Sequence, residues 1–238
     1  MSTRSLFFVL QLSMNKLPVT SQNTVFAFMC DVMDPTEFKE SVAADRNFMT
    51  YLGAAQYQWL IESSFEAQEQ KIEILDKLSK HIELCRYESY RIRLVLHALI
   101  HKTDKFIEAL YQSYELYADG YFFLETVGVQ HGLSFSNTYF NFYEWEKLPE
   151  AEKIVSIAAI YSSVKVEALK ISNLLDDNRI KLTGKRNSDG SCTYIDLRND
   201  LERLSSYDSV SLKDENTSWV NIYRKTKQKL QLLGSRTK

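Results

Sequence analysis

The chain has 238 residues, of which 45% are hydrophobic and 25% charged, with 29 basic and 31 acidic side chains and a formal net charge of −2. These are globular values, so disorder over most of the length is excluded, and near-neutrality excludes a global field that draws the chain to nucleic acid or membrane. With only 7 glycines and 3 prolines there are few turn-formers, which predicts a small number of long elements, mainly helices.

In chain order, residues 5–11 (LFFVLQL) and 24–33 (TVFAFMCDVM) are apolar, aromatic and β-branched runs around a polar connector containing Pro18. They predict a small N-terminal β-hairpin, with one buried helix plus a loop as the alternative. The first run is too short for a membrane span and lacks a small-residue cleavage site, so a signal peptide is not expected. Asp34-Pro35-Thr36-Glu37 has the composition of a helix start. One or two helices follow over about 36–84, broken near Gly53, with Ile72, Leu75, Leu78 and Ile82 as the apolar stripe. A second long helix is expected over about 88–118, with Leu96, Leu99, Phe106, Leu110 and Tyr114 buried. Gly120, Gly128 and Gly132 then interrupt the pattern, and 120–146 reads as irregular.

The clearest helix begins at Leu148-Pro149-Glu150. Ile154, Ile157, Tyr161, Val164, Ala168, Ile171 and Leu175 recur at three and four residues, and Val155, Ile160, Val166, Leu169 and Leu174 widen the stripe. This predicts a central bundle helix ending at Asp176-Asp177-Asn178. A polar connection over 179–193 and two more helices, about 194–206 and 216–233, complete the chain. The expected fold is all-α: an antiparallel bundle of about five or six helices over 36–238, preceded by a hairpin or apolar arm over 1–35.

Cys30, Cys85 and Cys192 are far apart and form no C-x-x-C pair, so neither a zinc knuckle nor a disulfide framework is indicated, and a reducing, cytoplasmic compartment is expected. His97 and His101 share a helix face, but Ala98 stands where a zinc-protease pair needs Glu; a solvated polar stripe is expected and no metal or other cofactor. The rings between Tyr121 and Trp145 supply either core area or, if exposed, a surface for a protein partner. From Asn216 onward there is no acidic side chain, and Arg224 and Lys225 begin a basic tail able to touch phosphates or to favour the end of a last helix.

In YIDLRNDLERL (194–204), a helix places Tyr194, Leu197, Leu201 and Leu204 on one side, with Arg198 and Arg203 about 140° apart. An ordinary charged face, with Arg198 and Glu202 paired across one turn, accounts for it on composition alone. Residues 158–204 nevertheless resemble the HEPN superfamily of helical-bundle proteins. The resemblance rests on AAIYSSVKVEALKISNLL with Glu167-Ala168 and Asn173, on the basic connection after it, and on Arg198-Asn199, which opens the family's Arg-polar-spacer-His motif. Arg203 stands where the shortest form of the motif has its His; Arg91 and His97 match the spacing too, on a different helix. The resemblance implies a homodimer that binds or cleaves RNA without a metal, in a defence or toxin–antitoxin setting. Arg198, Asn199 and Arg203 would hold phosphate, Glu167 would support them, and Lys185, Arg186, Arg224 and Lys225 would contact RNA. A guanidinium stays protonated, so Arg203 cannot transfer the proton, and His97 or His101 would have to do so. The alternative is a non-catalytic helical protein–protein interaction module.

Overall fold

A computed structural model of the chain describes residues 16–64, 68–133, 135, 142–188 and 190–199. It is mainly helical. In order, the elements are α1 (Val19–Met29), α2 (Pro35–Ala44), α3 (Arg46–Leu52), α4 (Ala54–Glu62), α5 (Gln68–Ser79), α6 (Leu84–His101), α7 (Phe106–Ala118), a 3-10 turn (Phe122–Leu124), a π-helix (Thr126–Leu133), α8 (Phe142–Lys147) and α9 (Glu150–Asp176). A two-stranded hairpin, β1 (Ile180–Arg186) and β2 (Cys192–Asp196), follows. The chain divides into two compact units, Met1–Arg91 with Leu182–Asn187, and Ile92–Lys181 with Ser188–Lys238.

In the first unit, the run expected as the second hairpin strand is helix α1. Ser21, Gln22, Val25, Phe26 and Phe28 are all buried. An element covered on several sides loses the amphipathic period, and a short apolar run then fits strand and buried helix equally. The run 5–11 lies outside the described residues. Gln22 fixes α1 from inside: its Nε2 donates to Leu17 O at 2.6 Å and its Oε1 accepts from Glu83 N at 3.0 Å. Asp34 caps α2 as its sequence predicts, accepting from Thr36 N and Glu37 N at 2.8 and 2.9 Å, with Pro35 in the first turn. Gly53, at φ +80°, breaks α3 from α4. The core stacks Phe28 on Phe38 at 4.2 Å and includes Phe48, Leu60, Ile74, Leu78 and Ile82, whereas Ile72 of the expected stripe is exposed.

The single helix expected over 88–118 is two. Lys102 takes a left-handed φ of 49°, and Thr103 N donates back to Ala98 O at 3.2 Å, closing the end of α6. Asn178, at φ 56°, ends α9 in the same way, with Arg179 N donating to Leu174 O at 2.9 Å. In a glycine-poor chain, Lys and Asn occupy cap positions that glycine usually holds.

In the second unit α6 and α9 run antiparallel: Arg93, early in α6, pairs with Asp176 at the end of α9, and Ile100 O, late in α6, accepts from Tyr161 Oη at 2.9 Å. Leu96, Leu99, Phe106 and Leu110 are buried as expected. Residues 121–133, expected to be irregular, form the 3-10 turn and the π-helix laid on α7. Gly128 and Gly132 make that approach possible. A Cβ on Gly128 would lie 2.6 Å from Ser113 O, and one on Gly132 2.5 Å from Leu110 O. The polar connection expected over 179–193 and the start of the helix expected over 194–206 are instead the hairpin. Ile180 is buried, Lys181 exposed and Leu182 half-buried; Tyr194 sets its ring edge-on to Phe123 at 5.0 Å, and Cys192 N donates to Tyr121 Oη at 3.1 Å. Residues 200–238, including the helix expected over 216–233, lie outside the described residues.

Cys85 and Cys192 are disulfide-bonded and Cys30 is a free thiol. The expectation of no disulfide is therefore corrected, and with it the argument from cysteine usage for a reducing compartment. No described helix is long and apolar enough to cross a membrane.

Gly128→Ala is expected to destabilise the protein by about 1–3 kcal/mol, because its methyl meets backbone rather than a movable side chain. Denaturant unfolding beside a Gly53→Ala control, whose cost is backbone strain alone, checks this; equal losses would contradict it.

Candidate functional site

The residues expected to form an RNA site are distributed unevenly. Arg198 and Asn199 sit just after β2 in non-helical backbone. The physical reason is local. Asp196 Oδ1 accepts from Arg198 N at 3.0 Å, fixing a turn at the strand end, and Leu197 N donates to Arg179 O at 2.7 Å. The Arg198 guanidinium then closes on the same carboxylate: Nε donates to both Asp196 oxygens at 3.0 and 3.1 Å, and a terminal nitrogen reaches Oδ2 at 2.7 Å. The two side chains are only 12% and 18% exposed. A guanidinium so engaged is neutralised before any phosphate arrives. Arg198 thus grips Asp196; Glu202, its expected partner on a helix face, lies outside the described residues. Arg203, Arg224 and Lys225 lie outside the described residues.

Glu167 lies on α9 and pairs with Lys170 at 3.6 Å. His97 and His101 are exposed on α6 with rings 4.3 Å apart. Lys185 and Arg186 are exposed at the end of β1, beyond Gly184. Among the described residues no group of three or more His, Cys, Asp or Glu is placed to hold a metal ion.

The rings of the 121–145 segment divide. Tyr121, Phe123, Phe135 and Trp145 are buried, and Phe135 packs on Trp145 at 4.9 Å. These four are core, leaving Phe122, 53% exposed, as a ring that faces solvent. Tyr139 and Phe140 lie outside the described residues.

One cluster escapes the sequence. His131, on the π-helix, brings Nε2 to 3.4 Å from Ser163 Oγ on α9, and Glu167 stands one turn further along the same helix. Burial pushes the His131 pKa down, and the Glu167 charge opposes this in part; the net shift is downward. A neutral imidazole facing a hydroxyl and a carboxylate has the components of a proton relay. The surroundings do not complete one. Ser163 lies within a helix, where backbone N–H groups are tied into the ladder and offer no oxyanion donors, and its hydroxyl also donates to Ile160 O at 3.0 Å. The cluster therefore docks the π-helix on α9. The signal that could have found it is Gly128-x-x-x-Gly132, which marks close helix approach and brackets His131.

The second feature is on α9 itself. Val164, Ala168, Ile171, Leu174 and Leu175 are buried, whereas Ile154, Val155, Val166 and Leu169 are 55%, 69%, 61% and 38% exposed. On a helical wheel at about 100° per residue, Val155, Ala159, Ser162, Val166 and Leu169 fall within roughly 40° of one line directly opposite the buried stripe. The expectation that the widened stripe makes α9 a fully central helix is thus corrected: α9 is apolar on two opposite faces and buried on one.

Arg198→Ala is expected to cost about 1–2 kcal/mol, because it removes the guanidinium hydrogen bonds that the half-buried Asp196 carboxylate accepts; an unchanged denaturation midpoint would contradict the structural role. The His131 shift has a definite sign. Its folded pKa lies below the ordinary 6.5, so the unfolded chain binds the proton more readily, and stability present at neutral pH is lost as pH falls from about 6.5 toward the lowered value. His131→Gln is expected to flatten that part of the stability–pH curve above the carboxylate range; an unchanged slope would refute it.

The chain matches no family model, and no curated protein or solved structure is similar to it at a significant level.

Proposed function

We propose that the protein is a helical protein–protein interaction module whose binding surface is the outer face of α9. The carrying observation is the exposure of Val155 and Val166 at 69% and 61%, on the side of the helix opposite its buried stripe. A helix that is apolar all round belongs in a core, and one left with an apolar face in water gains by covering it. The scaffold is inferred to be an antiparallel helical bundle, on the strength of the opposed directions of α6 and α9.

A second reading keeps the RNA contact implied by the HEPN resemblance and moves it from Arg198 to Lys185 and Arg186. These are exposed cations on β1, a strand without an acidic side chain. It ranks below the first, because the residue that carries the family motif is engaged by Asp196 and the described residues place no histidine beside it.

The outer face is separable from the core by substitution. Val155→Glu and Val166→Glu, unfolded at low protein concentration, are expected to stay within about 0.5 kcal/mol of wild type. Val164→Glu, one residue in sequence from Lys165 but on the buried side, is expected to lose several kcal/mol or fail to fold. Loss of folding in Val155→Glu or Val166→Glu would mean that this face is covered within the chain, and the reading would fall.

A further inference from the structure

We infer that the occupant of the outer face of α9 is a second copy of this chain, docked with the two α9 helices antiparallel about a twofold axis near Ile160 and Tyr161. The inference rests on the proposed interaction surface and adds its partner. The exposed seam steps from Val155 by four, three, four and three residues through Ala159, Ser162 and Val166 to Leu169. That is the spacing that keeps one face of a helix against another helix. The seam is also symmetric about its middle. Reversed about Ile160–Tyr161, Val155 falls opposite Val166 and Ala159 opposite Ser162. A twofold interface requires this: residue i meets j, and j meets i. The small residues Ala159 and Ser162 lie at the centre, where two helix axes cross most closely, with the larger Val155, Val166 and Leu169 on either side.

Charge selects the direction. Glu152 stands one turn before Val155, and Lys170 follows Leu169, both on the same edge of the seam. Reversal about the same centre sets Glu152 opposite Leu169, beside Lys170 of the second copy, and by symmetry this pair forms twice. A parallel arrangement instead sets Lys170 against Lys165 of the second copy, like charge to like. The seam from Glu152 to Leu169 is about 26 Å long at 1.5 Å per residue, enough for a helix-pair contact. The inner side of α9 is already held by α6 through Tyr161, so docking leaves that contact in place.

Sedimentation velocity on the full chain across a dilution series tests this. Wild type is expected as a reversible dimer, and Val155→Glu with Val166→Glu is expected to raise the dissociation constant by roughly a hundredfold. Lys170→Glu alone is expected to weaken the dimer by about tenfold, and Glu152→Lys added to it to restore most of the loss. A wild-type monomer at every concentration, with Val155→Glu melting like wild type, would overturn the second copy while leaving the surface open to a different protein. A dimer that survives the two valine substitutions, or a charge swap that fails to restore it, would also overturn the inference. If the outer-face variants cannot fold, the interaction reading itself fails.

Discussion

Val164, Ala168, Ile171 and Leu175 on one side of α9, and Val155, Ala159, Val166 and Leu169 on the other, pose a demand that one covering layer of helices cannot meet. The inner row is buried to 5% exposure or less, and the outer row includes the most exposed large aliphatic side chain among the described residues, Val155. Fully burying a valine or leucine is favourable by about 1.5–3 kcal/mol relative to leaving it in water. An outer row of several such residues therefore gains free energy when it is covered. Among the described residues, that unburied row is the feature on which the proposed interaction surface rests.

The inner side of α9 depends on two glycines. Gly128 and Gly132 bring the π-helix against the α7 backbone, leaving no room for a Cβ at either position. Between them His131 is held toward Ser163, so a close approach on one side of the π-helix fixes a polar contact on the other. π-helical segments are rare and often mark functional sites. Here the segment serves packing: it carries its imidazole to α9 and leaves it partly desolvated, without the donors that acyl transfer needs. Rigid seating of the inner face lets the outer face present a fixed row of side chains.

Much of the helical layout was legible because it is written in local chemistry. Asp34-Pro35 caps a helix through its own carboxylate, Gly53 breaks one through a positive φ, and Asp176-Asp177-Asn178 ends another. What escaped depends on tertiary context. α1 is buried on several sides, so its period vanished and it read as a strand. Lys102 adopts a left-handed conformation that no lysine advertises, so α6 and α7 read as one helix. The strands β1 and β2 are so polar along much of their length that they read as a connection. Arg198 was the sharpest misdirection: an Arg-Asn pair inside a helical rhythm, whose real partner, Asp196, lies two residues away and holds it in a strand-end turn. The two faces of α9 were both visible as apolar positions. Which face is covered is a property of the folded chain, and no spacing reveals it.

The central claim is that one face of α9 is buried within the chain and the other is covered only by association. Hydroxyl-radical footprinting read by mass spectrometry, on dilute and on concentrated protein, tests it residue by residue. Val155, Val166 and Leu169 are predicted to be modified in dilute solution and protected on concentration, while Val164, Ile171 and Leu175 stay protected throughout. Protection of Val155 and Val166 at every dilution would contradict the account, because it would place both faces of α9 inside the chain's own core.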